Sequence, residues 1–535
     1  MKLRMSSCRG WLLCWVLAAA VPLISCYAKN HTIFSARQLG LSAGLLLLTV
    51  VGVFAVYHGL ARFLLRRLAR FFPRGEEKKG PLFDFAMAFG AAAVYLRLTL
   101  YPLAFAMTRQ LGWTPPTTGL VLLLLLALYT LIAWRFLWKG SSVLLSLLLL
   151  WQGGAWIASL RGGQAESRTL RIPDAEREIY DSVRFKATPN IYYVVLESYH
   201  AAARLRDYYG FDNRAFDEGL AGMGYALYSN VFANYYVTVQ SLHATFSMRH
   251  HYNLQESGNM DSRGFRSLFS GGDYNPVLSI LRNNGYRIEY RLADTYLYFP
   301  EQAQKHLDVL MVAESNPLHP LATLVWPHLI TDRVVPDYRK RLLEELFGTG
   351  PSASPRFVFM KAGVLHLMTP QWPPPSDDWK KTYVGMFDAE NRFLSELCRR
   401  IQENDPGAIV ILAADHGAFG YSWGWWEQTT DPNPFFKEQG LDPVEVVKDN
   451  ADVFLAIKLD RPDAPPLPVR TLANLFRELF QYLSDSPRLP GTRVPDDSYS
   501  PRRNGIIHRM VRDGQPLEVY EEITVNSTCL PESNP

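Results

Sequence analysis

The sequence predicts a two-part chain. An N-terminal α-helical transmembrane bundle occupies residues 1–160, and an α/β domain with a mostly parallel central sheet covered by helices occupies 188–535. Three observations carry this. Nearly all long apolar runs precede residue 161. Beyond it, short β-rich apolar runs alternate with amphipathic helical patterns, which gives a parallel sheet with both faces covered. Two of those runs end abruptly in ionisable groups, at the strand ends where open α/β sheets bind ligands.

The membrane region comes first. The chain has 535 residues, more than one ordinary domain needs. A helix needs about 20 apolar residues to cross the hydrocarbon core. Five candidates meet that requirement, at about 11–28, 41–63, 83–107, 117–134 and 142–159. The fourth, LVLLLLLALYTLIAW, is the cleanest, while Arg97 interrupts the third. An arginine inside a span is costly unless it snorkels or finds a partner. Basic residues set the orientation. They cluster at Lys2, Arg4 and Arg9, at Arg66, Arg67, Arg70, Arg74, Lys78 and Lys79, and at Arg135 and Lys139, so those segments are expected inside. Five spans starting inside place everything after residue 160 outside the cytoplasm. Residues 1–26 also read as a secretory signal, with Leu23-Ile24-Ser25-Cys26 shaped like a lipoprotein cleavage site. Both readings export the second domain. The polar, charged stretch 161–187 reads as a juxtamembrane linker.

Charge and cysteines exclude two classes. The net charge of +4 comes without a basic stripe, so no nucleic-acid partner is expected. Five cysteines are few: Cys8, Cys14 and Cys26 lie in the membrane region, and only Cys398 and Cys529 lie beyond it. At most one disulfide is available there, and no CxxC pair suggests a thiolate metal site.

In the second domain the predicted strands are NIYYVVLESYH from Asn190, RFVFMKAG from Arg356, AIVILAADHG from Ala408 and DVFLAIKL from Asp452. Such continuous apolar runs suit strands buried on both faces. Helical patterns fall at 276–286, which ends at an Asn-Gly, at 383–402 and at 469–484.

Chemistry gathers at three places. Glu197 ends the first strand, and Asp415-His416-Gly417 ends AIVILAA. Charge at a buried strand end is expensive unless a metal or counter-charge compensates it. Either carboxylate alone could simply cap a helix. Between them lies ANYYVTVQSLHATFSMRHHYN, which clusters Thr238, Ser241, His243 and Thr245. Hydroxyl and imidazole groups suit nucleophilic and proton-transfer work. The bland alternative makes Thr238 a helix N-cap with Ser241 exposed in the first turn. Tyr199, His200, Trp423 and Trp425 neighbour these motifs, although aromatic groups near a strand end more often pack.

Residues 190–197, the Thr238 segment and Asp415-His416-Gly417 resemble, in this order, the alkaline phosphatase/sulfatase superfamily. The resemblance covers about 188–485, and with its multi-span N-terminus the chain is similar to phosphoethanolamine transferases and lipoteichoic acid synthase-like enzymes. Thr238-Val-Gln-Ser241-Leu fits the frame of the sulfatase nucleophile segment, with Thr238 at the nucleophile position. No cysteine stands there, so formylglycine chemistry is excluded. Tyr236-Val237 replace the Cys-Gly of phosphoethanolamine transferases, which leaves the transferred group open.

The resemblance implies a sulfatase-like catalytic domain. Its metal ligands would be Glu197, Thr238, Asp415 and His416, holding one or two divalent ions (Mn, Mg or Zn). Thr238 would be the nucleophile, and His366 would contact the transferred phosphate or assist the leaving group. Ser241 and His243 are candidate substrate-binding residues. The implied activity is transfer of a phosphoethanolamine- or phosphoglycerol-like group from a membrane phospholipid donor to an envelope glycan or lipid, with the domain on the periplasmic side of the inner membrane. Hydrolysis of the same phosphodiester, or a catalytically silent envelope scaffold, are the alternatives.

Overall fold

The structure, a computed structural model, describes residues 5–30, 36–71, 83–95, scattered positions between 126 and 150, 172–251, 266, 268, 269, 274–293, 297, 306–312, 331–348, 354–361, 375–418, 431–501 and 507–523. Two compact units divide the chain: Met1–Glu166 with Glu314–Arg333, and Ser167–Ala313 with Val334–Pro535.

In the first unit the helices Met5–Asn30 and Ala36–Phe71 pack against the shorter apolar helix Phe83–Tyr95. Indoles and a phenol join them through polar atoms. Trp11 Nε1 donates to Asp84 Oδ1 at 2.7 Å, Trp15 Nε1 to the Met87 carbonyl at 3.1 Å, and the Tyr57 hydroxyl to the Ala86 carbonyl at 2.8 Å. Among the described residues one helix, Gly40–Leu64, is long and apolar enough to cross a membrane, matching the span expected at 41–63. The apolar stretch of the first helix, Arg9–Ile24, is shorter than the expected 11–28 span. Arg97 and most of the fourth and fifth expected spans lie outside the described residues.

The second unit is built on a seven-stranded sheet in the order β2-β7-β6-β1-β5-β3-β4. Its strands are β1 (Ile191–Leu196), β2 (Ala226–Leu227), β3 (Arg287–Leu292), β4 (Val309–Val312), β5 (Arg356–Lys361), β6 (Ile409–Ala414) and β7 (Leu455–Lys458). β6, β1, β5, β3 and β4 run parallel, while β7 and β2 join antiparallel at one edge. Every residue of β1, β5 and β6 is buried, as continuous apolar runs require.

Two helical expectations change in detail. The helix expected over 383–402 is two helices, Asp377–Val384 and Phe387–Asn404, broken at Gly385 and Met386. The break sends Tyr383 and Phe387 into one aromatic cluster, ring centroids 5.0 Å apart, against Tyr199. The 469–484 pattern starts as a 3-10 turn at Leu472–Asn474 and continues as the helix Leu475–Ser484. The 276–286 pattern is the helix Pro276–Asn283, whose cap Asn275 accepts from the Leu278 amide at 3.0 Å and whose chain turns at Gly285 with φ +80°.

A second sheet, not anticipated from the sequence, is antiparallel: β8 (Ser498–Pro501), β9 (Ile507–Arg512) and β10 (Gln515–Ile523), in the order β10-β9-β8. It holds the segment leading to Thr238. The Tyr499 amide donates to the Asn234 carbonyl at 2.9 Å, Ser498 Oγ to the Ala233 carbonyl at 2.7 Å, and Asn234 Nδ2 to the Asp497 carbonyl at 2.8 Å.

Candidate active site

Register places the site. Leu196 of β1 lies beside Ala414 of β6, and Val195 lies beside Lys361 of β5. Glu197, Asp415 and Lys361 therefore share one carboxyl edge of the parallel sheet. The chain turns sharply after Glu197, with Ser198 at φ +60°. Such a conformation is strained for a residue with a Cβ, and neighbours on both sides hold it. The Ser198 amide donates to Asp415 Oδ1 at 3.3 Å, and its carbonyl accepts from the Tyr383 hydroxyl at 2.6 Å.

Thr238 opens the helix Thr238–Ser247, and the cap is Val237, with no side-chain capping bond. The capping alternative therefore fails, because Thr238 is already helical and its hydroxyl turns elsewhere. Thr238 Oγ1 lies 2.9 Å from His416 Nε2, both groups buried. The helix is anchored beneath by Phe246, which packs edge-on to Phe359 at 5.1 Å. A buried ring of this kind is worth about 3–5 kcal/mol. Ser241, three residues on, falls on nearly the same helical face as Thr238. Its Oγ is buried with no hydrogen-bond partner among the described residues.

His416 has a defined tautomer. Its Nδ1 lies 2.8 Å from the Gly417 carbonyl, which can only accept, so Nδ1 carries the proton. Nε2 then presents a bare lone pair to the Thr238 hydroxyl. Gly417 is required where it stands, since a Cβ there would meet the Asp449 carbonyl oxygen at 2.0 Å. Its amide donates to the Asn450 carbonyl at 2.9 Å.

His200 holds the same turn from the other side. Its Nδ1 donates to the Asp452 carbonyl at 2.9 Å, and its Nε2 accepts from the Ala418 amide at 3.3 Å. Behind it Asp449 is fully buried. Burial pushes its carboxyl up, but the Arg204 guanidinium and the Tyr209 hydroxyl help to hold it below the ordinary range. His200 is thus a positioning residue, and Tyr199 is packing, its hydroxyl donating to Asn391 Oδ1 at 2.6 Å.

His243 stands five residues after Thr238, rotated about 140° around the helix axis. Its Nδ1 is 2.7 Å from His251 Nε2. Burial pushes the His243 imidazole down to about 3 and His251 well below its usual value. His366, Trp423 and Trp425 lie outside the described residues.

The sequence reading missed Lys361. Its Nζ is 2.7 Å from Glu197 Oε2, with the Lys361 side chain 3% exposed and that of Glu197 14%. The signal was present: RFVFMKAG ends an apolar run in a charge, just as the other two motifs do.

Fit to a metal depends on this geometry. Among the described residues no three His, Cys, Asp or Glu side chains gather to hold one. A mixed set does converge: Thr238 Oγ1, His416 Nε2 and Asp415 Oδ2, the last 3.5 Å from His416 Nε2. Asp415 Oδ2 is buried and, among the described residues, accepts no hydrogen bond, a costly state that a cation relieves. Oxygen and imidazole donors suit Mg, Mn or Zn. The residues fit a divalent cation on three atoms, and the fourth expected donor, Glu197, is engaged by Lys361.

No family model matches the chain, and no curated protein matches it. Solved structures with which it shares similarity include the integral membrane lipooligosaccharide phosphoethanolamine transferase A of Neisseria meningitidis, at 13% identity over 84% of this chain and 88% of that one, TM-score 0.32. The lipoteichoic acid synthase LtaP of Listeria monocytogenes is similar at 12% identity over 67% of this chain and 94% of that one, TM-score 0.37. The putative sulfatase yidJ of Bacteroides fragilis is similar at 12% identity over 61% and 84%, TM-score 0.42.

Proposed function

We propose that the chain is a metal-dependent sulfatase-fold membrane transferase. It moves a phospho-substituent, phosphoethanolamine- or phosphoglycerol-like, from a lipid donor to an envelope glycan or lipid through a covalent intermediate on Thr238. The domain works on the periplasmic side of the inner membrane, behind a multi-pass anchor. One observation carries the reading: the Thr238 hydroxyl meets the bare Nε2 of His416 at 2.9 Å, at a strand edge with an unsatisfied buried carboxylate oxygen.

Thr238 Oγ1, His416 Nε2 and Asp415 Oδ2 would hold a divalent ion, which would lower the hydroxyl pKa and offset charge on the phosphoryl oxygens. The residues do the rest. The Gly417 carbonyl fixes the His416 tautomer, and His200 fixes the turn that carries it. Thr238 Oγ1 gives its proton to water and bonds to phosphorus, while the bond from phosphorus to the donor's lipid oxygen breaks and that oxygen takes up a proton. His366 is the proposed source of that proton. An acceptor hydroxyl then bonds to phosphorus as the bond from Thr238 Oγ1 to phosphorus breaks, and the proton the acceptor gives up returns to Thr238 Oγ1. Ser241 Oγ, buried three residues after Thr238 with no hydrogen-bond partner among the described residues, would donate to a phosphoryl oxygen.

The test is intact-mass analysis of protein purified from its own membrane, wild type against Thr238→Ala. An adduct on wild type that disappears in the variant supports the intermediate and gives the transferred group. Headgroup release from phospholipid that is unchanged in Thr238→Ala removes Thr238 from the mechanism. A modified glycan or lipid product, rather than free headgroup, separates transfer from hydrolysis.

A further inference from the structure

Asn450 stands next to last in the helix Pro443–Ala451. Its side chain is fully buried, and among the described residues neither Oδ1 nor Nδ2 has a hydrogen-bond partner. A carboxamide offers two donor hydrogens and an acceptor oxygen. Leaving both atoms unpaired in the interior is costly, and a native protein that does so usually has a functional reason or an ordered water there.

Placement singles this residue out. Its own carbonyl accepts from the Gly417 amide at 2.9 Å, one residue from the His416 ring that meets Thr238. The carbonyl of the next residue, Ala451, accepts from the Ala233 amide at 2.8 Å, on the segment that runs into Thr238. Residues three and four apart share a helix face, so Asn450 lies on the face of Val446 and Val447. Those valines belong to one apolar cluster with Tyr236, and Val237 packs against it. Tyr236 and Val237 immediately precede Thr238. Asn450 therefore sits between the two chain segments that deliver Thr238 and His416. Depth does not set it apart from them. Asp415 and Ser241 are as fully buried, and Thr238 is 5% exposed. A phosphodiester that reaches Thr238 has to part the same packing.

A neutral carboxamide offers what a carboxylate cannot, a donor and an acceptor side by side without charge. Nδ2 suits a non-bridging phosphoryl oxygen. Oδ1 suits an N–H or O–H on the group beside phosphorus, as an ethanolamine ammonium or a glycerol hydroxyl presents. We propose that Asn450 is a specificity-determining substrate contact, which selects phosphodiesters whose headgroup carries a hydrogen-bond donor close to phosphorus. This rests on reading the edge as a phosphoryl-transfer site. A pocket built to pair such a donor rejects an analogue lacking it, because its own polar atom is then left unpaired.

The experiment uses the full chain in detergent and follows headgroup release from phosphatidylethanolamine, phosphatidylglycerol and phosphatidylmethanol in mixed micelles. The last carries no donor on its headgroup. Wild type is expected to favour one of the first two over phosphatidylmethanol by at least about tenfold in kcat/KM, and the one favoured identifies the donor as ammonium or hydroxyl. In Asn450→Leu that preference is expected to shrink to within about twofold. The melting temperature of this variant is expected to be no lower than that of wild type, since an apolar side chain of similar volume replaces an unsatisfied amide. Asn450→Ala provides the same comparison if the leucine variant does not fold. Wild type without the preference, or a preference that persists in both variants, overturns the proposal and leaves the site reading standing. Persistence together with a lowered melting temperature assigns Asn450 to an ordered water and overturns the proposal equally. Wild type that releases no headgroup from any of these lipids overturns the site reading and the proposal with it.

Discussion

Gly417→Ala isolates what the backbone does for the site. The added carbon would lie 2.0 Å from the Asp449 carbonyl oxygen, 2.8 Å from its carbonyl carbon and 2.8 Å from His200 Cε1. Ordinary contact begins near 3.4 Å, so the fit is about 1.4 Å short, and the main obstacle is backbone that no rotamer change removes. Relief requires the 416–418 turn to lift from the helix Pro443–Ala451. That stretches the Gly417 amide bond to Asn450 at 2.9 Å and the Ala418 amide bond to Asp449 at 3.0 Å. Overpacking costs about 1–3 kcal/mol, and each weakened bond adds about 0.5–1.5 kcal/mol. Together these predict a loss of about 2–6 kcal/mol. His416 moves with the turn, and a displacement near 1 Å costs about a hundredfold in rate. Thermal denaturation of the purified chain, and p-nitrophenol release from bis(p-nitrophenyl) phosphate, measure both effects. A melting temperature within about 1 °C of wild type, where 1 kcal/mol is worth about 2–4 °C, refutes the packing argument. A rate within about twofold of wild type refutes the link from Gly417 to His416.

Further outcomes follow from other contacts in the same domain. Asp415→Ala should reduce divalent metal bound per chain by elemental analysis, and unchanged occupancy would remove Asp415 from the ligand set. Glu289, 2% exposed, pairs at 2.9 Å with both Arg356 and Arg291. Glu289→Ala removes the carboxylate that pairs the buried Arg356 guanidinium and leaves Arg291 its contact with Glu345 at 3.3 Å, and it should cost about 3–5 kcal/mol in urea unfolding. Glu396→Ala, which breaks the exposed pair with Arg399, should cost under about 1 kcal/mol, and equal losses would contradict the burial argument. Burial lowers His243 from 6.5 to about 3 and His250 from 6.5 to about 4. The unfolded chain thus binds more protons below 6.5, so stability is complete above that pH. It falls as pH drops toward 4, at about 1.4 kcal/mol per pH unit for each histidine. His243→Gln should flatten that slope in denaturant melts, and an unchanged slope would exclude His243 as a contributor.

Much of the α/β domain was legible because buried parallel strands leave a one-dimensional mark. Runs such as IYYVVL and IVILAA have no polar alternation, and their abrupt ends at Glu197 and Asp415 marked the edge of the sheet. The split at Gly385 was not legible, since apolar spacing continues across it and only the meeting of Tyr383 with Phe387 explains it. The strands of the second sheet were also missed; in β10 only one residue is buried, and QPLEVYEEI carries little apolar signal.

The sequence by itself determined which residue types stand at each strand end, the order of the three motifs and the exclusion of cysteine-based chemistry. These are local properties, set by composition and spacing. Tertiary structure decided which of those groups meet. It turned Thr238 toward His416 rather than into a helix cap, and it set His243 against His251. It also gave Glu197 to Lys361, 164 residues away in the chain. The physical reason is register: which side chains share an edge depends on how β1, β5 and β6 align, and hydrogen bonding between distant segments fixes that alignment.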